Sequence, residues 1–313
     1  MFGKSKKFTL LVFGFLVFSN TLAWIAVFEF SESQFLRVFF FDVGQGDAIF
    51  IITPQGHQIL IDGGPDSTVL EKLGQAMPFW DRSIDLIVLT HPEQDHISGL
   101  IEVLKRYKID YVLWTGVVRD TSEYKKWVSL LENQDSEIVM AEVDRRVKAG
   151  KVLLDVLYPF ENLEGQSINN TNNTSIILRL VFGKTSFLFT GDAYKSVERK
   201  LVREALDNES FVVTSDILKI GHHGSKTSSV EDFLVVVEPE IAVISLGGDP
   251  EAEGENCDNQ KRNRYKHPSC EVLANLQKYG IKVLRTDEQG DIKISSDGRN
   301  FKFKIQNESQ ILN

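Results

Sequence analysis

The stretch Ile84-Asp85-Leu86-Ile87-Val88-Leu89-Thr90-His91-Pro92-Glu93-Gln94-Asp95-His96 decides the reading of this chain. Ile84 to Leu89 is a largely apolar run of strand length. Two imidazoles and two carboxylates follow within six residues: His91, Glu93, Asp95 and His96. Core packing has no use for four such groups at a strand end. A divalent metal does, because neutral imidazole nitrogens and carboxylate oxygens are ligands for zinc and manganese. Held with an open coordination position, such an ion activates water near neutral pH. Taken singly, His91-Pro92 or Asp95-His96 reads as a surface turn and a helix cap, with Asp95 capping a helix over Ile97 to Tyr107. All four together, on the loop of a strand–loop–helix unit, point to a metal.

Three further clusters stand where apolar runs end. Phe187-Leu188-Phe189-Thr190-Gly191-Asp192 delivers a carboxylate at a strand tip, after a glycine that lets the backbone approach a ligand. Alone, it reads equally as a turn. Ile220-Gly221-His222-His223-Gly224-Ser225-Lys226-Thr227-Ser228 places adjacent histidines after another strand. In an extended segment neighbouring side chains point opposite ways. One imidazole is therefore expected to ligate and the other to orient substrate, and the sequence leaves open which does what. Lys226, Thr227 and Ser228 could hold a phosphate, with backbone N–H groups at the next helix start. Asn263-Arg264-Tyr265-Lys266-His267-Pro268-Ser269 reads as a charged loop ending in a helix cap, or as a flap bringing His267, Tyr265 and Arg264 over the site.

Outward from these clusters, strands separated by Gly-rich turns open the fold: Leu36 to Asp42, Ala48 to Thr53 and Gln58 to Ile61, read as an antiparallel sheet. Helices are predicted at Val69 to Met77, Glu123 to Asn133, Val197 to Leu206, Ser229 to Val236 and Glu271 to Tyr279. Strands are predicted at Tyr111 to Trp114, Ile138 to Glu142, Val152 to Tyr158, Ser175 to Val181, Ser186 to Thr190, Ile217 to Ile220, Ile241 to Ser245 and Val283 to Arg285. Asp291 to Ser295 and Phe301 to Ile305 form a hairpin through Asp297-Gly298. This alternation predicts an α/β fold of two mixed sheets with helices on the outer faces, an αββα sandwich. No linker splits residues 36–305. Gly247 to His267 is the one long polar loop, and 306–313 reads as a tail.

The order His91, Glu93, Asp95, His96, then Asp192, then His222-His223 resembles the metallo-β-lactamase fold superfamily. Its HxHxDH motif is met at His91, Asp95 and His96, with Glu93 where the middle histidine usually stands. A closer resemblance is to the extracytoplasmic hydrolase domain of ComEC-type competence proteins, the DNA-uptake channel family. It is carried by Asp42-Val43-Gly44-Gln45-Gly46-Asp47-Ala48, Ile61-Asp62-Gly63-Gly64, Asn172-Asn173-Thr174-Ser175, Tyr265-Lys266-His267-Pro268 and Arg285-Thr286-Asp287, besides the clusters above. It spans roughly residues 36 to 300.

The resemblance implies a metal-dependent phosphodiesterase or nuclease acting on DNA, with two divalent ions, zinc or manganese (or magnesium). In that reading His91 and Glu93 serve one ion, Asp95, His96 and His223 the other, and Asp192 bridges. Asp95, His222 and His267 are the expected catalytic groups. Asp42 and Asp62 orient ligands. Glu93 makes the first site oxygen-rich and shifts preference toward manganese or magnesium. The same site could instead serve a small phosphoester, phosphorylcholine, lactam or lactone, or the chain could be a non-catalytic part of a DNA-uptake apparatus. Larger family members carry a many-helix channel, so a separate competence channel protein is an expected partner.

The chain has 313 residues, of globular composition and formal net charge −9. That balance argues against a broad nucleic-acid-coating surface. Lys4, Lys6 and Lys7 precede an uncharged run from Phe8 to Phe28, followed by Glu29 and Glu32. Residues 1–30 therefore read as a membrane-spanning signal-anchor with the N-terminus cytoplasmic. A cleavable signal peptide ending near Thr21-Leu22-Ala23 is the alternative. Cys257 and Cys270, the two cysteines, could bridge outside the cytoplasm or remain free thiols.

Overall fold

The computed structural model describes residues 3–32, 34–248, 257 and 263–305. Most of the polar loop expected between Gly247 and His267, and the tail 306–313, lie outside the described residues. A 30-residue helix, α1 (Gly3–Glu32), comes first. Within it Lys6–Val27 is long and apolar enough to cross a bilayer, with mean hydropathy 2.1 and no part of its most apolar window buried.

The chain then enters a sheet through β1 (Leu36–Phe40), β2 (Ile49–Ile52) and β3 (Gln58–Ile61). It continues through α2 (Thr68–Ala76), β4 (Ser83–Val88), α3 (Gln94–Leu104), β5 (Lys108–Trp114), α4 (Ser122–Leu131) and β6 (Glu137–Met140). The second sheet follows: β7 (Arg146–Ala149), β8 (Val152–Tyr158), β9 (Ile177–Phe182), β10 (Thr185–Phe189), α5 (Lys195–Asp207), β11 (Ile217–Lys219), α6 (Glu231–Val237), β12 (Ile241–Ile244), α7 (Cys270–Lys278) and β13 (Lys282–Arg285). A short α8 (Thr286–Gln289) leads back to β14 (Ile292–Ser296) and β15 (Phe301–Ile305), which complete the first sheet. The orders are β15-β14-β1-β2-β3-β4-β5-β6 and β13-β12-β11-β10-β9-β8-β7.

Three apolar layers hold the αββα sandwich together. Phe40, Ile51, Phe187 and Phe189 belong to the layer between the sheets. Val69, Leu73, Ile97, Leu100 and Trp127 seal α2, α3 and α4 onto one outer face. Val197, Leu201, Phe233 and Leu276 seal α5, α6 and α7 onto the other. Each such side chain, when fully buried, contributes about 1.5–3 kcal/mol of transfer free energy.

The first three strands are antiparallel as expected, but they belong to a mixed sheet in which β3 to β6 run parallel. The strand β7 was not foreseen, because three of its residues are at least partly solvated and two are charged. The helix expected from Ile97 starts at Gln94, so Asp95 lies in its first turn rather than at its cap. Cys257 and Cys270 form a disulfide, with Cα atoms 5.3 Å apart.

Strand direction places the chemistry. β1, β3 and β4 run in one direction, so Asp42, Asp62 and Thr90-His91 all lie at the same end of the first sheet. β10, β11 and β12 are likewise parallel and deliver Asp192 and His222-His223 from the second. The two ends are joined where the Ile176 N–H donates to the Thr90 carbonyl at 3.0 Å.

Candidate metal centre

Asp95 and His96, on the first turn of α3, meet Asp192 from beyond β10 and His223 from beyond β11. Ligand atoms of these four residues all lie within 4.8 Å of one another. His96 Nε2 is 3.4 Å from Asp192 Oδ2 and 3.9 Å from Asp95 Oδ1. His223 Nε2 is 3.3 Å from Asp95 Oδ2 and 3.4 Å from the same Asp192 oxygen. One carboxylate oxygen thus faces two imidazoles.

The backbone brings the loops this close by omitting side chains. A Cβ on Gly99 of α3 would lie 1.8 Å from the Gly63 carbonyl oxygen, and one on Gly63 would lie 2.3 Å from Leu100 N. The Gly63 N–H donates to the His96 carbonyl at 2.8 Å. The His222-His223 segment is a short 3-10 turn rather than the extended segment expected, with φ of 47° and 52° at the two histidines. Left-handed backbone at two successive non-glycine residues costs about 1–2 kcal/mol each, a strain concentrated at functional sites. The two rings still diverge, with centroids 6.1 Å apart and planes tilted by 56°.

The far nitrogen of each ligating ring is tied down. Asp62 accepts from Thr90 N at 2.8 Å, from Thr90 Oγ1 at 2.7 Å and from His96 Nδ1 at 2.8 Å. His223 Nδ1 donates to the Ser245 carbonyl at 2.8 Å. Thr90 Oγ1 has given its proton to Asp62, so it accepts from His91 Nδ1 at 3.0 Å. In all three rings Nδ1 is committed, so Nε2 is the nitrogen left facing the hollow where a metal would bind. His91, His96 and His223 Nε2, together with Asp192 Oδ1, are buried and meet no hydrogen-bond partner. Buried polar atoms without partners are costly. Divalent cations held by the Asp95, His96, Asp192 and His223 cluster and beside His91 would satisfy these atoms, so the residues present fit a metal centre.

The charges agree. Burial alone would depress His96 and His223, but neighbouring carboxylates, Asp192 foremost, outweigh it and hold both rings well above the usual imidazole range. Burial would raise Asp192, yet His223 and His96 hold it well below the usual carboxylate range. The anionic hollow draws positive charge. His91, which faces fewer carboxylates, is pushed down to about 3 by burial and then by His96.

Beneath the cluster lies an ion pair absent from the sequence-derived set. Asp47, from the loop after β1, pairs with Lys219 of β11, both almost fully buried. Its other oxygen lies 3.5 Å from His223 Nδ1. Burial would raise the Asp47 carboxyl, but the Lys219 ammonium prevails and holds it low.

The other expected residues fall as follows. His91 adjoins the cluster, its ring centroid 4.2 Å from that of His96. Glu93 is not brought into it: Oε1 accepts from Arg119 Nη2 at 2.9 Å and from Thr171 Oγ1. Asp42 accepts from the Gly44 N–H of its own loop at 3.2 Å. His222 stacks on Tyr194, with ring centroids 5.0 Å apart, and its Nδ1 shares a 2.7 Å hydrogen bond with Thr227 Oγ1. Ser228 is buried and donates to the Gly221 and Ser225 carbonyls, while Lys226 is exposed. His267 stands 5.5 Å from His222 and 6.5 Å from His223, centroid to centroid, and is pushed down to about 4 by burial and then by those two rings.

Asn263, first residue of the third cluster and given no role of its own there, is buried and shapes the loop that carries His267. Its Oδ1 accepts from Tyr265 N and His267 N, and its Nδ2 donates to Gln45 Oε1 at 2.8 Å. A cavity of about 610 Å³ opens over the cluster. Asp95, His222, His223, Arg264, Tyr265 and His267 are among its walls.

Comparison with known proteins agrees with this geometry. The family model described as metallo-beta-lactamase superfamily matches residues 41–248. The chain is 34% identical over 284 residues to ComE operon protein 3 of Bacillus subtilis (strain 168), covering 84% of this chain and 33% of that protein. It is 30% identical over 256 residues to competence protein ComA of Neisseria gonorrhoeae, covering 80% of this chain and 31% of that protein. The chain therefore spans about a third of the length of these relatives. Among solved structures it superposes on CmlA, a diiron beta-hydroxylase from Streptomyces venezuelae, with TM-score 0.50 and 16% identity, over 80% of this chain and 52% of that one. Fold, clustered His and Asp ligands and sequence similarity coincide: the chain belongs to the metallo-beta-lactamase superfamily, as a metal-dependent hydrolase with competence-protein homologues.

Proposed function

We propose that this protein is a phosphodiesterase that cleaves DNA outside the cytoplasm, anchored by the span in α1. The observation that carries the reading is the cluster of buried His96, Asp192 and His223 with half-buried Asp95, at the floor of an open cavity whose mouth bears Arg264, Tyr265, His222 and His267. Asp192 would be the shared ligand, with His91 available toward a second ion. Two divalent ions held there, manganese or zinc, would supply Lewis acidity and an activated water.

The chain's own groups do the rest. Asp62 and the Ser245 carbonyl keep the ligating rings in register. Arg264 lies close enough to the cavity to clamp a phosphate. His267, pushed down to about 4, is neutral at pH 7 and can accept or pass a proton near the leaving oxygen. His222, held by Thr227 and Tyr194, presents Nε2 4.0 Å from Asp192 Oδ2. The competence-protein relatives support a link to DNA uptake, from which DNA as substrate and a channel protein as partner are our reading. The disulfide supports an oxidising compartment.

The test is cleavage of single- and double-stranded DNA by the full chain with manganese, zinc or magnesium. Turnover with at least one metal, lost in Asp192→Ala, is expected. A folded, metal-loaded protein that cleaves neither strand form would refute the reading. The net charge of −9 favours a second reading, a compact phosphoester substrate, and a panel of small phosphodiesters separates the two.

A further inference from the structure

The metal centre occupies one end of the sandwich, and the opposite end carries an unexplained surface. Phe79 and Trp80, in the loop between α2 and β4, leave 79% and 69% of their surface in solvent. They form an edge-to-face pair, with centroids 4.9 Å apart. Single exposed apolar residues are ordinary; two adjacent large aromatics projecting from one loop are not.

Strand register fixes where this loop lies. In the first sheet Arg37 pairs with Ile52, and Ile52 pairs with Gln58. Gln58 Nε2 donates to Asp81 Oδ2 at 2.6 Å, one residue after Trp80. The Lys108 N–H at the start of β5 donates to the Arg82 carbonyl at 2.8 Å. The aromatic loop therefore sits at the end where β1 begins, remote from Asp62 and His91. That is also where the chain arrives from α1. Eight residues separate Val27, the last of the apolar span, from Leu36. Fully extended they reach at most about 30 Å, so this end is held close to whatever surface the span enters. Phe35, just before β1, is 42% exposed there.

Basic and acidic groups alternate around the loop: Arg82, Lys105, Arg106 and Lys108 stand among Asp81, Asp85, Glu102, Asp110 and Asp135. Glu102 is shared by Lys105 and Arg106. Tryptophan paired with basic residues is the composition of a membrane–water interface.

We propose that this end rests on the bilayer, with Phe79 and Trp80 inserted among the headgroups and Arg82 beside them at the membrane–water interface. The proposal rests on the membrane-anchored reading above. It turns the metal-bearing cavity away from the membrane, toward substrate arriving from solvent.

The test uses the full chain in vesicles of phosphatidylcholine and phosphatidylglycerol, with lipids brominated near the carbonyl as quenchers. Trp114 and Trp127 are buried and act as constants. Trp24→Phe leaves Trp80 as the responsive reporter, and Trp80→Phe leaves Trp24. Quenching of both reporters, with a blue shift of Trp80 and loss of its quenching by acrylamide, is the expected result. If Trp24 is quenched while Trp80 stays open to acrylamide, the anchor stands and the docked end is overturned. If Trp80 is shielded from acrylamide and bromolipid alike, a protein covers it and the proposal also fails. If neither reporter is quenched by lipid, both readings fall.

Discussion

Glu198 offers a measurement in which two physical effects oppose each other. It lies on α5, almost wholly buried, and its two oxygens accept from Ser229 N at 2.6 Å and Val230 N at 2.9 Å. Those bonds hold the chain that runs from the His222-His223 turn into α6. Backbone N–H donors favour the ionised carboxylate; burial favours the neutral acid. Burial prevails, and the carboxyl is raised from 4.5 to about 7. An acid whose folded pKa exceeds its unfolded one binds more protons in the folded state. Its contribution is fully present below pH 4.5 and is lost as pH rises through about 7. The shift of 7 − 4.5 corresponds to about 3 kcal/mol in full, of which roughly 2.5 kcal/mol falls between pH 5 and pH 8. Glu198→Gln removes the titration. It also turns an amide N–H toward one of the two backbone donors, at a pH-independent cost of about 1–3 kcal/mol. Urea unfolding followed by Trp fluorescence should therefore show the variant less stable than the parent at pH 5 and nearly level with it at pH 8. The comparison is a double difference, so titration of the metal ligands cancels. A penalty that stays constant, or grows with pH, would mean that the two N–H bonds outweigh burial, and the reasoning would be refuted.

Asp192→Ala removes the oxygen shared by two imidazoles, so bound metal per chain should fall and cleavage should vanish; full metal occupancy by elemental analysis would contradict the shared role. Gly99→Ala forces a Cβ to 1.8 Å from a backbone oxygen and should cost about 3 kcal/mol or more in thermal unfolding. Gly74→Ala, in α2 with nothing within 4 Å, should be neutral or stabilising by up to about 1 kcal/mol. Lys219→Met strands the Asp47 charge in the interior and should cost about 3–5 kcal/mol, most of it recovered when Asp47→Asn is added. A double variant no more stable than the single one would show that the pair is not coupled.

The fold was legible because its strands are short apolar runs bounded by glycine, and the helices carry apolar residues at helical spacing. Ile84 to Leu89 and Phe187 to Phe189 could hardly be anything but buried strands, and their tips carry Asp95, His96 and Asp192. The shape of the His222-His223 turn was not legible, since nothing in the sequence of two histidines demands left-handed backbone; tertiary packing imposes it. Glu93 shows a different limit. Its spacing is that of a ligand, but Arg119 and Thr171, far along the chain, claim its carboxylate. Asp42 and Asp47 stand in one motif five residues apart, and sequence alone does not tell which of them turns inward.

One signal for the Asp47–Lys219 pair was in plain view. Lys219 interrupts Ile217-Leu218-Lys219-Ile220, an otherwise apolar run. A lysine in the middle of a buried strand cannot reach water, so it must find a carboxylate. Asp47 comes from the first sheet and Lys219 from the second, and Lys219 Nζ also donates to the Gly191 carbonyl, next to Asp192. The pair thus lies between the two sheets, directly under the point where their loops must agree to within a fraction of an ångström. Apolar packing alone tolerates small slides between sheets; a charge pair that is costly to break does not. The position of Asp192 relative to His96 is then set by a contact that touches no substrate, which is why substitution at Lys219 should disturb metal binding as well as stability.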